Sequence, residues 1–382
     1  MYSSLHNHTY YSLLDGYGSP KEMLDRAKEI GLKAFAITEH GNVYSHIYFD
    51  LIKKDYPEIK MIYGCELYEC EDIEIKDKDN KYFHLICLIR NEQGRKDLNK
   101  VITKSNFEGF YFKPRCTIED IKPYADNFVI SSACLASKLA RESDFEKCVK
   151  YINEYKEAFP YFFLEMQSHS HQDQCLYNQK ILELSKRTNT PFIITTDSHT
   201  PKKEDLYYQD KLIQIGRKSS NNDKNAIENS EVYEGCYMQS EDEIHEIMDS
   251  QIGYENVCLG LENTNKVADL IENVDMPFQK PQLPTFPLPD GYRDNNEFLW
   301  HLVRQGWKDR GYDNLSEDEQ QVRRTRLNYE MGIIHSMGFD GYFLFVWDFI
   351  KAAEKLGIEV GKGRGSAAGS LVCYCCHITD ID

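Results

Sequence analysis

Along the first two hundred residues, short apolar runs rich in β-forming side chains recur at regular intervals: "YSSLHNH", "KAFAIT", "MIYGCEL", "YFHLICLI", "NFVISSA", "YFFLEMQ" and "PFIITT". Each reads as a strand. Helical patterns lie between several of them. In "SPKEMLDRAKEIGL", Ser19 is placed to cap a helix, Pro20 suits its first position and Gly31 suits its end. Strands alternating with helices predict a parallel α/β architecture, and seven of them suit a barrel better than a short open sheet. The pattern then changes. Residues 203–270 read as mostly helical, and five prolines fall between Pro277 and Pro289, an extended stretch that cannot continue a helix. Helical segments are predicted over roughly 294–311 and 315–337, followed by "GYFLFVWDFIKAAEKLGI" and the glycine-rich "GKGRGSAAGS" at 361–370.

Residues able to bind metal fall on this strand map in a consistent place. His6 and His8 lie on the first strand, two residues apart and so on one face. Asp15 follows seven residues after His8. His40 follows the second strand, Glu66 ends the third, Cys134 follows the fifth, and Asp197 and His199 follow the seventh. The C-terminal ends of parallel strands form the functional rim of α/β folds. His84 is the exception: it lies inside its strand, and only an inward orientation would bring it to the centre. An isolated His-x-His is weak evidence, but acids, imidazoles and a thiol converging on one rim are costly unless paired or metal-bound. The mixture of His, Asp, Glu and one Cys suits zinc, manganese or iron better than calcium. Several close metals with a bridging carboxylate suit phosphate-ester hydrolysis.

Composition narrows the setting. The 382 residues, 41% hydrophobic and 13% aromatic, are enough for two or three globular domains. No run approaches a membrane span and the polar N-terminus does not read as a signal peptide. Twelve cysteines in that context suggest a reducing cytoplasm rather than a disulfide scaffold. A net charge of -17 disfavours binding of nucleic acid over the whole surface, while leaving room for a local cleft where metals offset the acids.

The segments "LHNHTYYSLLDG", "ITEHGN", "GCE", "FHLICLI", "SSACL" and "TTDSHT" resemble, in order, the motifs of the polymerase and histidinol phosphatase (PHP) domain. "NEQGRKDLNKVITKS", "EGFYFKPR", "GYFLFVWDFI" and "GKGRGSAAGSLVCY" extend the resemblance to the bacterial or phage DNA polymerase III alpha family, over essentially the whole chain. The resemblance implies a distorted seven-stranded barrel holding two to three divalent metals. His6, His8, Glu66 and Asp197 would hold the first; Glu66 would bridge to a second, held also by His84 and Cys134; Asp15, His40 and His199 would hold the third. It further implies a metal-dependent 3′–5′ exonuclease in cis. Glu39 departs from the family's usual Asp, at a position that is not a ligand, and little effect is expected.

On this reading residues 1–270 form the PHP domain, with a core barrel over about 1–215; 271–290 form a proline-rich connection; and 291–382 begin a polymerase palm. In the glycine-rich loop, Gly363 and Gly365 let a ligand approach the backbone. Arg364 can grip phosphate, Ser366 and Ser370 can donate hydroxyl hydrogen bonds, and the "SAAGSLVCYC" that follows reads as one helix whose N-terminus faces the anion. The resemblance makes this the seat of the incoming nucleotide's triphosphate. The acids of "DID" at 380–382 precede the palm's catalytic aspartates, which are expected beyond Asp382, so the chain alone is not expected to extend a primer. Magnesium, DNA, deoxynucleoside triphosphates, the sliding clamp and the clamp loader are the expected cofactor and partners of the full polymerase. Two motifs read as bland: "SHSH", with His169 and His171, as surface loop, and "CYCC" at 373–376 as core packing. A free-standing PHP phosphoesterase and a non-catalytic, metal-stabilised replisome module stay open as alternatives. The glycine loop counts against the first.

Overall fold

The computed structural model describes residues 1–77, 82–216, 234–278, 282–363 and 365–382, in two units, Met1–Pro277 and Phe278–Asp382. The first is built on strands β1 (Ser3–Ser4), β2 (Ala34–Ile37), β3 (Lys60–Glu69), β4 (Phe83–Ile89), β5 (Phe110–Tyr111), β6 (Lys113–Cys116), β7 (Phe128–Ser131), β8 (Phe162–Gln167) and β9 (Phe192–Thr195). The order β1-β2-β3-β4-β7-β8-β9 follows the chain. A parallel bridge between Asn7 and Ser198 joins the two ends into a nearly closed barrel. Side chains alternate as the strand period requires. Leu5, Ala34, Ala36, Ile62, Ile86, Leu88, Val129 and Ile193 form an inner cluster with Val267, Ala268 and Ile271 from the helix Tyr254–Leu270 and its end. Phe35, Ile37, Tyr63, Cys65 and Cys87 face the larger layer of surrounding helices.

All seven expected strands are present, but they are not all parallel. β3 pairs antiparallel with β4, and β4 antiparallel with β7. The cause lies in the connection: among the described residues no crossover helix separates β3 from β4, so the chain turns straight back, and a parallel partner would need a longer crossover. The reversal explains His84. It pairs with Tyr68 near the C-terminal end of β3, so the first residues of β4 lie at the same rim as the last residues of its neighbours. The β5–β6 hairpin is additional to the seven; β6 pairs parallel with the end of β3 at Tyr68 and Glu69.

The helix Pro20–Glu29 begins at Ser19 with a capping box closed by Glu22, and Gly31 takes a left-handed conformation (φ +74°) just past its end. The helix His46–Ile52 carries a buried imidazole: His46 Nε2–H donates to the Gly64 carbonyl at 2.9 Å. Burial pushes its pKa down to about 4, with the Gly64 contact opposing. Because the folded value lies below the unfolded one, near 6.5, this ring's share of stability is present in full above pH 6.5 and is lost as pH falls through 4. In chelator, the wild type is expected to lose up to about 3 kcal/mol between pH 7 and 4 through this ring. Denaturant titrations should show His46→Gln, which keeps a donor toward Gly64, with a correspondingly shallower pH slope.

The second unit is helical among its described residues: Asn295–Asp309, Glu317–Ser336, Asp340–Lys355 and Leu371–Cys375. They pack around Leu299, Val303, Met331, Leu344 and Val372. Cys373, Cys375 and Cys376 are buried free thiols, the last two within this core. Gly306 is required there: a Cβ would lie 1.6 Å from the Cys375 carbonyl oxygen. No described helix in either unit is long and apolar enough to cross a membrane.

Candidate metal centre

The rim of the barrel gathers His6 and His8 just after β1, His40 after β2, Glu66 within β3, His84 at the start of β4, Cys134 after β7, and Asp197 and His199 after β9. Asp15 arrives on a tight loop held by Ser12 N–H to Thr9 O (2.8 Å) and Asp15 N–H to Ser12 O (3.0 Å). Asp197 has a left-handed backbone (φ +47°), a conformation Asp and Asn tolerate better than most residues. A cavity of about 170 Å³ opens among Asp15, His40, Glu66, His84, Cys134, Asp197 and His199.

Three sets of donor atoms converge. His6 Nε2 lies 3.1 Å from His8 Nε2, 3.1 Å from Asp197 Oδ1 and 3.4 Å from Glu66 Oε1, and His8 Nε2 lies 3.4 Å from Asp197 Oδ1. Glu66 Oε1 is 2.8 Å from His84 Nδ1 and 3.9 Å from Cys134 Sγ, with Cys134 Sγ 3.5 Å from His84 Nδ1. Asp15 Oδ2 is 3.0 Å from His40 Nε2 and 3.8 Å from His199 Nε2, and the two imidazoles are 3.5 Å apart. Tetrahedral ligands about 2.1 Å from an ion stand about 3.4 Å from one another. The other oxygen of Glu66 contacts His40 Nδ1, so this carboxylate touches the members of all three sets.

The outer nitrogens of three imidazoles are already committed. His6 Nδ1–H donates to Glu165 Oε1 (2.6 Å), which also accepts from Thr195 Oγ1 (2.7 Å) while Glu165 Oε2 accepts from Ser131 Oγ (2.5 Å). His8 Nδ1–H donates to Ser12 Oγ (2.9 Å), whose own hydrogen goes to Glu39 Oε2 (2.5 Å). His199 Nδ1–H donates to the Asp197 carbonyl (2.8 Å). Each ring therefore turns Nε2 toward the other donor atoms of the centre, the arrangement in which a histidine binds metal through one nitrogen while a partner holds the other. Asp197 Oδ1 and Asp15 Oδ1 are buried and accept no hydrogen bond. Buried carboxylate oxygens are rarely left so unless something else balances them. These residues fit divalent metal.

The electrostatics agree. Burial opposes charge on His6 and His40, yet the acids prevail: Asp197 and Glu165 hold His6 well above its ordinary value, and Glu66 and Asp15 lift His40 to about 10. Burial, reinforced by His40 and His199, drives His8 down and keeps it neutral. Despite burial, Glu66 is held low by His84 and His40, and Asp197 by His6 and His199. Burial and the neighbouring acids push the Cys134 thiol up. Protons on His6 and His40 thus balance the acids when no ion is bound, and metal binding would displace them.

The glycine-rich loop in the second unit is arranged differently from expectation. Arg364 lies outside the described residues. Gly363, Gly365 and Ser366 are exposed, and Gly365–Gly369 form a 3-10 turn rather than the start of a continuous helix. Ser370 breaks the two and caps the short helix Leu371–Cys375. Its hydroxyl donates to Glu330 Oε2 (2.8 Å), and the Leu371 and Val372 N–H groups donate to the same carboxylate (3.2 and 3.0 Å). The helix N-terminus expected to face a phosphate holds Glu330 instead, itself bound by Arg326 at 2.5 Å. Asp380 and Asp382 pair with Arg310 and Arg323.

Comparison with known proteins finds similarity in both parts of the chain. Residues 4–169 match the PHP domain, and residues 297–382 match the bacterial DNA polymerase III alpha NTPase domain. The chain is 35% identical over 386 residues to DNA polymerase III subunit alpha of Borreliella burgdorferi, covering 99% of this chain and 32% of the relative. The chain is similar to DNA polymerase III alpha subunits over nearly its whole length. The alpha subunits of Treponema pallidum (34% identity, 99% of this chain, 32% of the relative) and Aquifex aeolicus (32%, 99% and 33%) align likewise. The chain thus spans about a third of the length of these relatives. Among solved structures, one described as a metal-dependent phosphoesterase from Bifidobacterium adolescentis aligns with 51% of this chain and 87% of its own, at 10% identity and a TM-score of 0.37, too distant to bear on the site.

The roles of several residues around the centre were not anticipated from the sequence. Glu165 and Glu39 are fully buried supports of His6 and His8. A carboxylate inside the apolar run "YFFLEMQ" was the available signal for the first, since such a group needs a partner. His169 is not a surface residue: it is 5% exposed, its ring packs against Gly235, and it lines the cavity with His171, Gln167, Gln174 and Cys236. Cys236 joins Asp197 and His199 in a further group of donor atoms within 4.8 Å of one another, and its isolated position in the sequence gave no hint of this.

Proposed function

We propose that the Met1–Pro277 unit is a metal-dependent phosphodiesterase that removes nucleotides from DNA 3′ ends, as part of a replicative DNA polymerase. The observation that carries this is the convergence of Asp15, His40, Glu66, His84, Cys134, Asp197 and His199 on one cavity, with His6 and His8 buried against Asp197 and Glu66 behind it. Bound there, two to three divalent ions (zinc, manganese or iron) would supply positive charge for the phosphoryl oxygens and lower the pKa of an attacking water. His6, His8, Glu66 and Asp197 would hold one ion, Glu66, His84 and Cys134 a second, and Asp15, His40 and His199 the third. Glu165 fixes the His6 ring, and the Ser12–Glu39 relay fixes His8 in the tautomer that offers Nε2. We further propose residues 1–270 as the PHP domain, 271–290 as a connection and 291–382 as the beginning of the palm, in which Gly363, Arg364, Gly365, Ser366 and Ser370 contribute to nucleotide binding. For the full polymerase, magnesium, DNA and deoxynucleoside triphosphates are the proposed cofactor and substrates, sliding clamp and clamp loader the proposed partners, and the cytoplasm the setting.

The purified chain is expected to contain at least two equivalents of zinc, manganese or iron by elemental analysis, and to shorten a 5′-labelled single-stranded oligonucleotide from its 3′ end. Less than one equivalent after metal supplementation would overturn the ligand assignment. Faster cleavage of small phosphomonoesters than of DNA would replace the exonuclease with a small-molecule phosphatase. Full metal content without either activity would leave the centre structural.

A further inference from the structure

Next to the metal cavity lies a second and larger one, about 490 Å³, that shares Asp15 and His40 with it. Its outer wall is the β5–β6 hairpin, absent from the seven-strand plan. The hairpin is firmly held. Arg115 is fully buried and donates to three carbonyls, of Gly109 (3.1 Å), Ile75 (2.9 Å) and Ile73 (2.9 Å). Gly41 has a left-handed backbone, and a Cβ there would come within 2.9 Å of both Tyr68 and Pro114, so the turn after β2 and the hairpin are pressed together. On this support Phe110 is 53% exposed, and across the groove Tyr44 is 64% exposed; Phe112, 76% exposed, lies on the same hairpin outside the groove. The fold gains little by holding flat rings in water at the mouth of an ion-binding cavity, and a cluster of this kind marks a binding surface.

Charge points the same way. The groove carries Lys113, which has no carboxylate partner among the described residues although the chain's net charge is -17. Its ammonium lies 5.2 Å from the centre of the Tyr68 ring, and that ring lies 5.4 Å from His84 and 6.5 Å from His40. A path therefore runs from the Lys113 ammonium, over the buried Tyr68 ring, to the donor atoms of the centre. Asn106 adds an amide on the same wall. Flat rings with an interspersed cation suit a polyanion bearing planar bases, and no single base is selected because each has a stacking face.

We propose that this groove binds the last nucleotides of a single-stranded DNA 3′ segment, with bases stacked on Phe110 and Tyr44 and a backbone phosphate at Lys113, so that the terminal phosphodiester enters the metal cavity. This deepens, and rests on, the phosphodiesterase reading above. Its test separates the two. The metal-loaded chain is assayed on a 5′-labelled dT12 and on bis(p-nitrophenyl) phosphate, a diester with no upstream nucleotide. Phe110→Ala and Tyr44→Ala should each raise KM for dT12 about 5- to 100-fold, the range of one lost base stack, with kcat and hydrolysis of the small diester unchanged. Phe110→Tyr should restore the wild-type KM, and Lys113→Ala should weaken binding and flatten its salt dependence. Equal losses on both substrates, or a dT12 KM that moves less than twofold in every variant, would overturn the groove. Fluorescence anisotropy with dT12 blocked at its 3′ end by phosphorothioates reads binding without catalysis. If the wild type cleaves neither substrate, the phosphodiesterase reading fails, and the groove stands or falls on whether Phe110→Ala weakens this binding at least fivefold.

Discussion

Asp197→Asn is expected to lower 3′-terminal hydrolysis by at least about a thousandfold while leaving the protein folded. Asp197 Oδ1 stands 3.1 Å and 3.4 Å from the inward nitrogens of His6 and His8, so an ion held by both rings would meet its charge directly. Replacing it with a neutral amide removes one anionic ligand, and loss of several kcal/mol of transition-state charge stabilisation corresponds to that factor. The substitution is mild for the fold. Asn has the same shape, tolerates the left-handed backbone that Asp197 adopts, and can still accept from Gln167 Nε2, now 3.2 Å from Asp197 Oδ2. The measurement is kcat/KM on labelled DNA beside melting of both proteins in chelator. Activity within tenfold of wild type, with unchanged chelator-state melting, would remove Asp197 from the reaction.

The second large effect is on stability. Chelation should lower the melting temperature of the wild type by at least about 10 °C, because ions that bind only the folded chain add their binding energy to folding, and a few kcal/mol shifts a domain of this size by that much. The effect should shrink with acidity. His6 and His40 carry protons in the ion-free centre, His40 with a pKa near 10, so metal competes with protons and binds more weakly as pH falls. Calorimetry with and without chelator at pH 8 and pH 6 should give the larger difference at pH 8. Superimposable melts at pH 8 would mean that the centre is unloaded or contributes nothing to the fold.

Residues whose chemistry is local were legible in the sequence. The seven strands stood out because buried strands are continuous apolar runs, and Ser19, Pro20 and Gly31 marked one helix because caps act within a turn. The direction of β4 was hidden: an apolar run looks the same whichever way the strand runs, and only the missing crossover helix gives the reversal away. The β5–β6 hairpin was hidden because "GFYFKPR" is short and contains Pro114, a poor strand residue except at an edge. Around the centre, the donors at strand ends could be found by position alone. Glu165 and Glu39 could not, since their importance lies in which imidazole each one meets. His169 was misread because a polar "SHSH" suggests solvent, whereas packing by Gly235 from a distant part of the chain buries it. In the second unit, Glu330 lies 40 residues before the Ser370 hydroxyl that it accepts from, too far for any local pattern to link them.

The closure of the barrel has a consequence for how the chain assembles. β3 and β4 are sequence neighbours and can zip together early, whereas the Asn7–Ser198 bridge joins positions almost two hundred residues apart and pays the largest loop-closure entropy of the sheet. It is a seam of two thin contacts, His8 N–H to Ser198 O at 2.7 Å and Ser198 N–H to His6 O at 3.3 Å. His6, His8, Asp197 and His199 are the residues that flank it on either side. An ion gripped by His6, His8 and Asp197 would be a clasp across the last joint to form, so that the same three side chains would serve chemistry in the finished domain and hold its first and last strands together.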